Sequence, residues 1–426
     1  MKITKLSLSN YRGVQSLSLD FHERLNVFFG VNGAGKSTVL DAAAIMLSWV
    51  VSRIQRSGTS GRPILESDIT NGKPSCSIEI CCSYKSHNIE WKLSKSRKGR
   101  GQPEDPTNLK NLSEFTKKMR AQIAATGEDR ITLPLFVYYP VNRSVLDIPL
   151  RIKGKHTFDI FAAYDRALTG GASFRTFFEW FREREDLENE NRRHQQSLFE
   201  NGRPALPDPQ LEAVRNALKN VLPTFGNLTV RRQPLRMEVQ KDGETLKVDQ
   251  LSDGEKCLIA MIGDLARRMA IANPMRENPL EGEGVVLIDE IDLHLHPTWQ
   301  RMIIPKILEV FPNCQFVIST HSPHVLTHMK SGSLYLLEHM DAGIRAEKIA
   351  GSYGKTVDRV LEDFMGLETT RPDEVSAALR DIYEEIDRSN LEGAKQKIED
   401  LQKRIGRDPE LTKAEVVIRR KELIGK

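Results

Sequence analysis

Gly30-Val31-Asn32-Gly33-Ala34-Gly35-Lys36-Ser37-Thr38 is the stretch on which the fold turns. It carries the pattern G-x-x-x-x-G-K-[ST], with a compact apolar run, Leu25 to Phe29, before it. Val39 to Ile54 follows it without Gly or Pro. Strand, glycine-rich loop and helix in that order open a parallel α/β sheet. The glycines let backbone N–H groups close around phosphate oxygens, and the helix that follows points its positive end at them. Lys36 is then expected to reach the β- and γ-phosphates of ATP, and the Ser37 hydroxyl to ligate Mg²⁺. Gly30, Asn32, Gly33, Ala34, Gly35 and Thr38 complete the expected nucleotide cradle.

Val285-Val286-Leu287-Ile288 reads as a second buried strand, and it ends in Asp289-Glu290. An acid at the C-terminal end of a parallel strand lies beside the phosphate loop. Asp289 is expected to hold the magnesium site and Glu290 to polarise an attacking water. A carboxylate pair is commonly just a solvated pair; the four apolar residues before this one argue for a sheet edge inside a cleft. Leu251-Ser252-Asp253-Gly254-Glu255-Lys256 precedes a helix with Leu258, Ile262, Leu265 and Met269 on one face. By itself this is a capped helix start.

Outward from these motifs, Leu6 and Leu8 against Leu17, Leu19 and Phe21 predict a hairpin through Asn10-Tyr11-Arg12-Gly13. Ile78 to Tyr84 and Ile89 to Leu93 predict a second antiparallel pair, Leu133 to Tyr139 a strand, and Met237 to Val248 a hairpin with a D-G turn. Gln315 to Thr320 reads as a further strand of the parallel sheet. Phe174 to Leu218 is mostly helical and highly charged, broken near residue 205, and long enough for a short arm or lid. Val375 to Leu401 carries two apolar stripes at helical spacing, hence two amphipathic helices. The expected organisation is residues 1–172 and 223–350 as two parts of one head, 173–222 as a helical insertion and 351–426 as a helical tail.

The 426 residues carry 62 Lys+Arg against 58 Asp+Glu, a net charge of +4, too small a surplus to mark a nucleic-acid binder. Basic surface must be local, as in Lys92, Lys95, Arg97, Lys98 and Arg100, where a solvated loop is the favoured reading over DNA contact. Five cysteines without a C-x-x-C pair exclude a disulfide framework or a metal cluster. No signal peptide or run of about 18 apolar residues is evident, so a cytoplasmic protein without membrane attachment is expected.

Taken in order, the phosphate loop, Leu251-Ser252-Asp253-Gly254-Glu255, Asp289-Glu290, Ile291-Asp292-Leu293-His294 and His321 in Phe316-Val317-Ile318-Ser319-Thr320-His321-Ser322-Pro323 resemble the ABC-type ATPases. The resemblance implies a P-loop ABC-type ATPase head of α/β class with an antiparallel β subdomain. It makes Ser252 and Gly254 binders of the γ-phosphate held by a second subunit, and His321 the switch histidine. Asn10-Tyr11-Arg12 and the run Asp289 to Pro297 are similar to the RecF/SMC-like branch, where a residue placed like Arg12 contacts nucleotide phosphates. The glutamine that family uses after the Leu133 to Tyr139 strand is missing; Asn142 is its expected substitute. His294 and His296 lack a third metal ligand, so packing or hydrogen bonding is the favoured role.

With Phe177 to Glu190 inserted and a helical tail, the chain also resembles the PtuA family of Septu anti-phage ATPases. That resemblance implies an HNH nuclease partner and a self-associated ATPase that regulates it. The alternative is a RecF-like clamp in repair or recombination, with DNA as ligand. A transporter subunit is disfavoured by the long insert between Ser37 and Ser252 and by the Arg12 motif.

Overall fold

In the first strand, apolar Leu6 and Leu8 are buried, Ser7 between them is half-buried, and Lys5 and Ser9 on either side stay exposed. That period-2 pattern is what a half-buried sheet requires. The computed structural model describes residues 1–99, 105–127, 130–141, 159–169, 174–198, 207–340 and 343–424. The chain runs β1 (Lys2–Tyr11), β2 (Val14–Asp20), β3 (Leu25–Phe29), α1 (Lys36–Gln55), β4 (Ser75–Tyr84), β5 (His87–Ser96), α2 (Lys110–Thr126) and β6 (Leu135–Tyr139). Next come α3 (Phe174–Leu198), α4 (Pro209–Val221), β7 (Phe225–Arg232), β8 (Leu235–Lys241), β9 (Glu244–Lys247) and α5 (Asp253–Ala272). β10 (Gly284–Ile288), α6 (Pro297–Val310), β11 (Cys314–Ser319), α7 (Pro323–Thr327), β12 (Ser333–Met340) and β13 (Gly343–Ile349) follow. Four helices close the described chain: α8 (Val357–Met365), α9 (Asp373–Asp387), α10 (Leu391–Ile405) and α11 (Pro409–Ile424).

The central sheet has the order β13-β12-β3-β11-β10-β6, and all its neighbours are parallel except the β12–β13 hairpin. β3 therefore lies between β11 and β12, with β10 one strand further out. The C-terminal ends of β3, β11 and β10 share one edge, where ligands of open α/β sheets bind. An antiparallel sheet, β2-β1-β4-β5, is joined to it by a buried amide: Gln315 accepts from Ile3 N at 2.7 Å and donates to the carbonyls of Ile3 at 2.8 Å and His22 at 2.9 Å. A third sheet, β7-β8-β9, is antiparallel. Its first strand is absent from the sequence reading.

α1 is long and apolar enough by composition to cross a membrane, but most of it is buried inside the protein. The expected arm at Phe174 is corrected. The front of α3 drives Phe174, Phe177, Phe178, Trp180 and Phe181 into the core. Gly263 of α5 makes the room, since a Cβ there would lie 2.7 Å from Phe177 Cζ. The charges further along α3 are partly internal too: buried Glu188 accepts from Arg215 at 3.1 Å, and buried Glu185 from Arg232 at 2.6 Å. α5 departs from its expected single apolar face as well, being buried on all sides from Leu258 to Ala272, including Asp264, Arg267 and Arg268.

The chain divides into two compact units, Met1–Gly354 and Lys355–Lys426. The second has its own core of Leu379, Ile382, Ile386, Ala394, Ile398, Leu401, Leu411, Ala414 and Ile418, drawn from α9, α10 and α11. Where two amphipathic helices were expected in the tail, the structure has four, because α8 and α11 flank the predicted pair.

Candidate active site

The phosphate loop leaves β3 with Gly30, Gly33 and Gly35 at φ of 143°, 79° and 93°, a region side chains disfavour. Two of these glycines also have close neighbours, backbone at Gly30 and a side-chain tip at Gly35. A Cβ on Gly30 would lie 2.3 Å from the Leu337 carbonyl oxygen, and one on Gly35 would lie 2.3 Å from Ile344 Cδ1. Both neighbours come from the β12–β13 hairpin, which the sequence reading omitted. Lys36 opens α1 and is 5% exposed; its ammonium donates to the carbonyls of Gly30 and Val31, each at 2.9 Å. Burial pulls its pKa below the usual lysine value, and the nearby carboxylates Glu290, Asp289 and Asp292 act against that. Asn32, Gly33 and Ser37 are exposed, Thr38 is half-buried and Ala34 is buried.

On the neighbouring strands, Asp289 is 2% exposed and its backbone N–H donates to the Tyr139 carbonyl of β6 at 2.9 Å. Ser319, at the end of β11, has one hydroxyl serving two partners: it donates to Asp289 Oδ1 and accepts from the Glu290 N–H, the latter at 2.8 Å. Glu290 sits at φ 47°. Its Oε1 lies 3.7 Å from His321 Nε2. Burial, and then the Lys36 charge, lower the His321 pKa below its usual value. Asp292 ties the next loop down, its Oδ1 accepting from Thr320 Oγ1 at 2.6 Å and from the His321 N–H at 3.3 Å. Lys36, Asp289, Glu290 and His321 are thus brought to one sheet edge from three strands. Ser319 and Asp292 are supporting groups; the sequence motifs contain both, Asp292 in Ile291-Asp292-Leu293-His294 and Ser319 in the run to His321, but give neither of them these partners.

Arg12 is at the first hairpin, at φ 51°, and is held by two carboxylates: Asp41 of α1 at 2.5 Å and Asp68 at 3.0 Å. Arg62 grips the other oxygen of Asp41 at 2.7 Å. Ser252 is exposed and caps α5 in a reciprocal box with Glu255. Gly254 cannot carry a side chain, because a Cβ would lie 2.3 Å from the His294 carbonyl oxygen. His296 caps α6, its Nδ1 lying 3.2 Å from Thr298 Oγ1, and no group of three or more metal-ligating side chains occurs among the described residues. Asn142 and Arg100 lie outside the described residues. Of the basic cluster, Lys92 pairs with Glu79 and Asp105, and Arg97 donates to the carbonyls of Lys73 and Ile69.

A second buried network links α5 to the site. Asp264 accepts from Arg267 at 2.8 Å, from Arg268 at 2.7 Å and from the Tyr139 hydroxyl at 3.0 Å. Burial alone would raise the Asp264 carboxyl, yet the two guanidinium groups hold it below the usual carboxylate range. Read in sequence, these charges look like the solvated side of an amphipathic helix.

Fold and site together define a P-loop ATPase. Residues 25–327 match the family described as "AAA domain, putative AbiEii toxin, Type IV TA system", and the chain belongs to it. The "Retron Ec83 probable ATPase" of Escherichia coli is 31% identical over 91% of this chain and 80% of that protein. The "Septu protein PtuA" of Bacillus thuringiensis is 24% identical over 92% of this chain and 90% of its own. Among solved structures, the SMC head domain from Thermotoga maritima aligns at 15% identity and a TM-score of 0.43, covering 82% of this chain and 99% of that one. The chain is an ATPase of the retron and Septu defence type. The motifs pointed to the Septu branch; they did not bring out the retron ATPases.

Proposed function

We propose that the protein binds ATP with Mg²⁺, that two copies close head to tail around two nucleotides, and that closure regulates a partner nuclease in anti-phage defence. The convergence of Lys36, Asp289, Glu290 and His321 on one sheet edge carries this reading. Lys36 would exchange its two carbonyl acceptors for phosphate oxygens, to which a lysine is a compact point charge. Ser37 offers an exposed hydroxyl and Asp289 an oxygen already oriented by Ser319, a donor set of hard oxygens suited to Mg²⁺. The metal would supply charge neutralisation on the phosphates. Glu290 orients the attacking water, His321 faces the γ-phosphate, and Arg12 contributes positive charge from the hairpin.

Ser252 supports a shared site. It is exposed at a helix N-terminus, where N–H groups favour an anion, and Gly254 seats that turn on the loop following Glu290. The likeness to Septu PtuA supports an HNH nuclease as the partner, and the cytoplasm is the location proposed with it. Lys92 and Arg97 are engaged within the protein, which leaves the exposed Lys95 and Lys98 of the described cluster to support the DNA-clamp alternative.

Mixing two inactive variants tests the shared site. Ser252→Arg should retain ATP binding but not hydrolysis, and Lys36→Ala should lose binding. A heterodimer carries both lesions in one site and none in the other, so mixing should restore part of the activity. A Ser252→Arg protein that stays monomeric with ATP and hydrolyses at the full rate refutes the shared site.

A further inference from the structure

The first turn of α5 is unusually acidic for a place that should receive a phosphate. Asp253 and Glu255 both lie there. Carboxylates suit a helix N-terminus, but they compete for the same positive end. The competition is visible: the Ser252 hydroxyl donates to Glu255 Oε2 at 2.8 Å, the Ser252 N–H donates to the same oxygen at 2.9 Å, and the Glu255 N–H donates back to Ser252 Oγ at 3.4 Å. The donors a γ-phosphate would use are therefore taken by Glu255.

The other oxygen of that carboxylate belongs to a different element. Lys241, the last residue of β8, places its ammonium 2.8 Å from Glu255 Oε1. The same ammonium lies 5.8 Å from the centre of the Phe225 ring, and Phe225 packs edge-on against Trp299 of α6. The lysine is thus fixed from outside the loop it serves. Asp253, by contrast, faces Lys256 of its own turn at 3.5 Å. Burial would raise the Glu255 carboxyl, yet the bonds from Lys241 and Ser252 hold it below the usual value.

We propose that Lys241 is a positioning residue for the phosphate-sensing turn: by holding and neutralising Glu255 it frees Ser252 to receive the terminal phosphate of ATP bound to a second chain. When the Ser252 hydroxyl turns to the phosphate, Glu255 keeps Lys241 as its partner and does not confront the phosphate as a bare like charge. Like charges set against each other at an interface oppose closure. The inference rests on the shared-site reading above.

Steady-state ATP hydrolysis and nucleotide affinity are measured for the full chain and for Lys241→Met, Lys241→Arg, Glu255→Gln and the double variant Lys241→Met/Glu255→Gln. Lys241→Met should lower kcat on the order of tenfold while ATP affinity at Lys36 stays within about twofold. Raised salt should recover part of that loss, because the Debye length falls from about 10 Å at 0.1 M to about 3 Å at 1 M. Lys241→Arg keeps the charge and should keep most of the rate. The double variant should match Glu255→Gln, since a neutral amide needs no counter-charge; simple loss of packing or folding would leave it as slow as Lys241→Met. A parental rate for Lys241→Met, or a double variant as slow as the single, overturns the assignment. Full-rate hydrolysis by Ser252→Arg removes the shared site itself. A dead Ser252→Arg beside a parental Lys241→Met removes only the role of the lysine.

Discussion

Replacing Ser319 with alanine removes one oxygen atom and disturbs two loops. Ser319 is fully buried, donating to Asp289 and accepting from the Glu290 N–H at 2.8 Å. Without it the N–H loses its partner, at about 1–3 kcal/mol, and a hydrogen bond to a charged group worth about 1.5–3 kcal/mol goes with it. The two terms overlap because Asp289 can reorient, so a stability loss of about 2–4 kcal/mol is expected. Glu290 stands at φ 47°, a conformation that costs a residue with a side chain about 1–2 kcal/mol. The bond to Ser319 is of the same size, so its loss allows Glu290 to relax away from His321. Misplacing the base should lower kcat by about 10–100-fold, at 1.36 kcal/mol per factor of ten. Metal-free nucleotide binding should hold, because the Lys36 bonds do not pass through Ser319, whereas Asp289 loses the bond that orients it for Mg²⁺. Thermal unfolding, steady-state hydrolysis and nucleotide titration on one preparation separate these effects. A Ser319→Ala protein with the parental melting temperature and kcat would refute the reasoning.

Lys36→Ala should weaken ATP binding by more than about a hundredfold, since charge-assisted hydrogen bonds are worth about 1.5–3 kcal/mol each and the ammonium makes at least two; calorimetry that finds equal affinity removes the phosphate-loop role. Glu290→Gln should bind ATP normally and hydrolyse it about 10²–10⁴-fold more slowly, the usual cost of losing a general base. His321 is depressed below 6.5 by burial and then by Lys36, so the unfolded chain takes up its proton first as pH falls. Its contribution to stability is therefore complete above pH 6.5 and is lost as pH falls towards the folded value. His321→Asn should flatten that part of the profile, and NMR of the imidazole in Lys36→Met should show its pKa rising. Gly254→Ala should slow hydrolysis and lower the melting temperature, because the new methyl meets the His294 carbonyl at 2.3 Å; unchanged behaviour would show that the turn yields freely.

The sequence exposes the site where chemistry is written locally and hides it where distant segments meet. Lys36 and the Asp289-Glu290 pair are legible because loop, helix and strand end are contiguous in the chain. Ser319 and Asp292 stand inside quoted motifs, yet their partners lie some thirty residues away, so the motifs contain them without showing what they hold. Arg12 was visible, yet its carboxylate clamp of Asp41 and Asp68 exists only after the hairpin docks on α1. The charged helices misled for a related reason. Glu185, Glu188, Asp264, Arg267 and Arg268 look solvated in a one-dimensional pattern, but each is buried against an opposite charge from its own or another element, Arg267 and Arg268 sharing Asp264. The β12–β13 hairpin, missed altogether, sets the Leu337 carbonyl against Gly30 and the Ile344 side chain against Gly35.

The strand order carries a consequence for biogenesis. β3 is made early, yet both its neighbours, β11 and β12, are encoded near the end of the first unit. At a synthesis rate of ~5–20 residues per second, β3 and the apolar α1 wait on the order of ~15–60 s for their partners. During that interval an unpaired strand and a greasy helix stand open to other chains emerging nearby. Yield from a cell should therefore depend on translation speed, temperature and chaperone supply far more than the finished protein's stability would indicate.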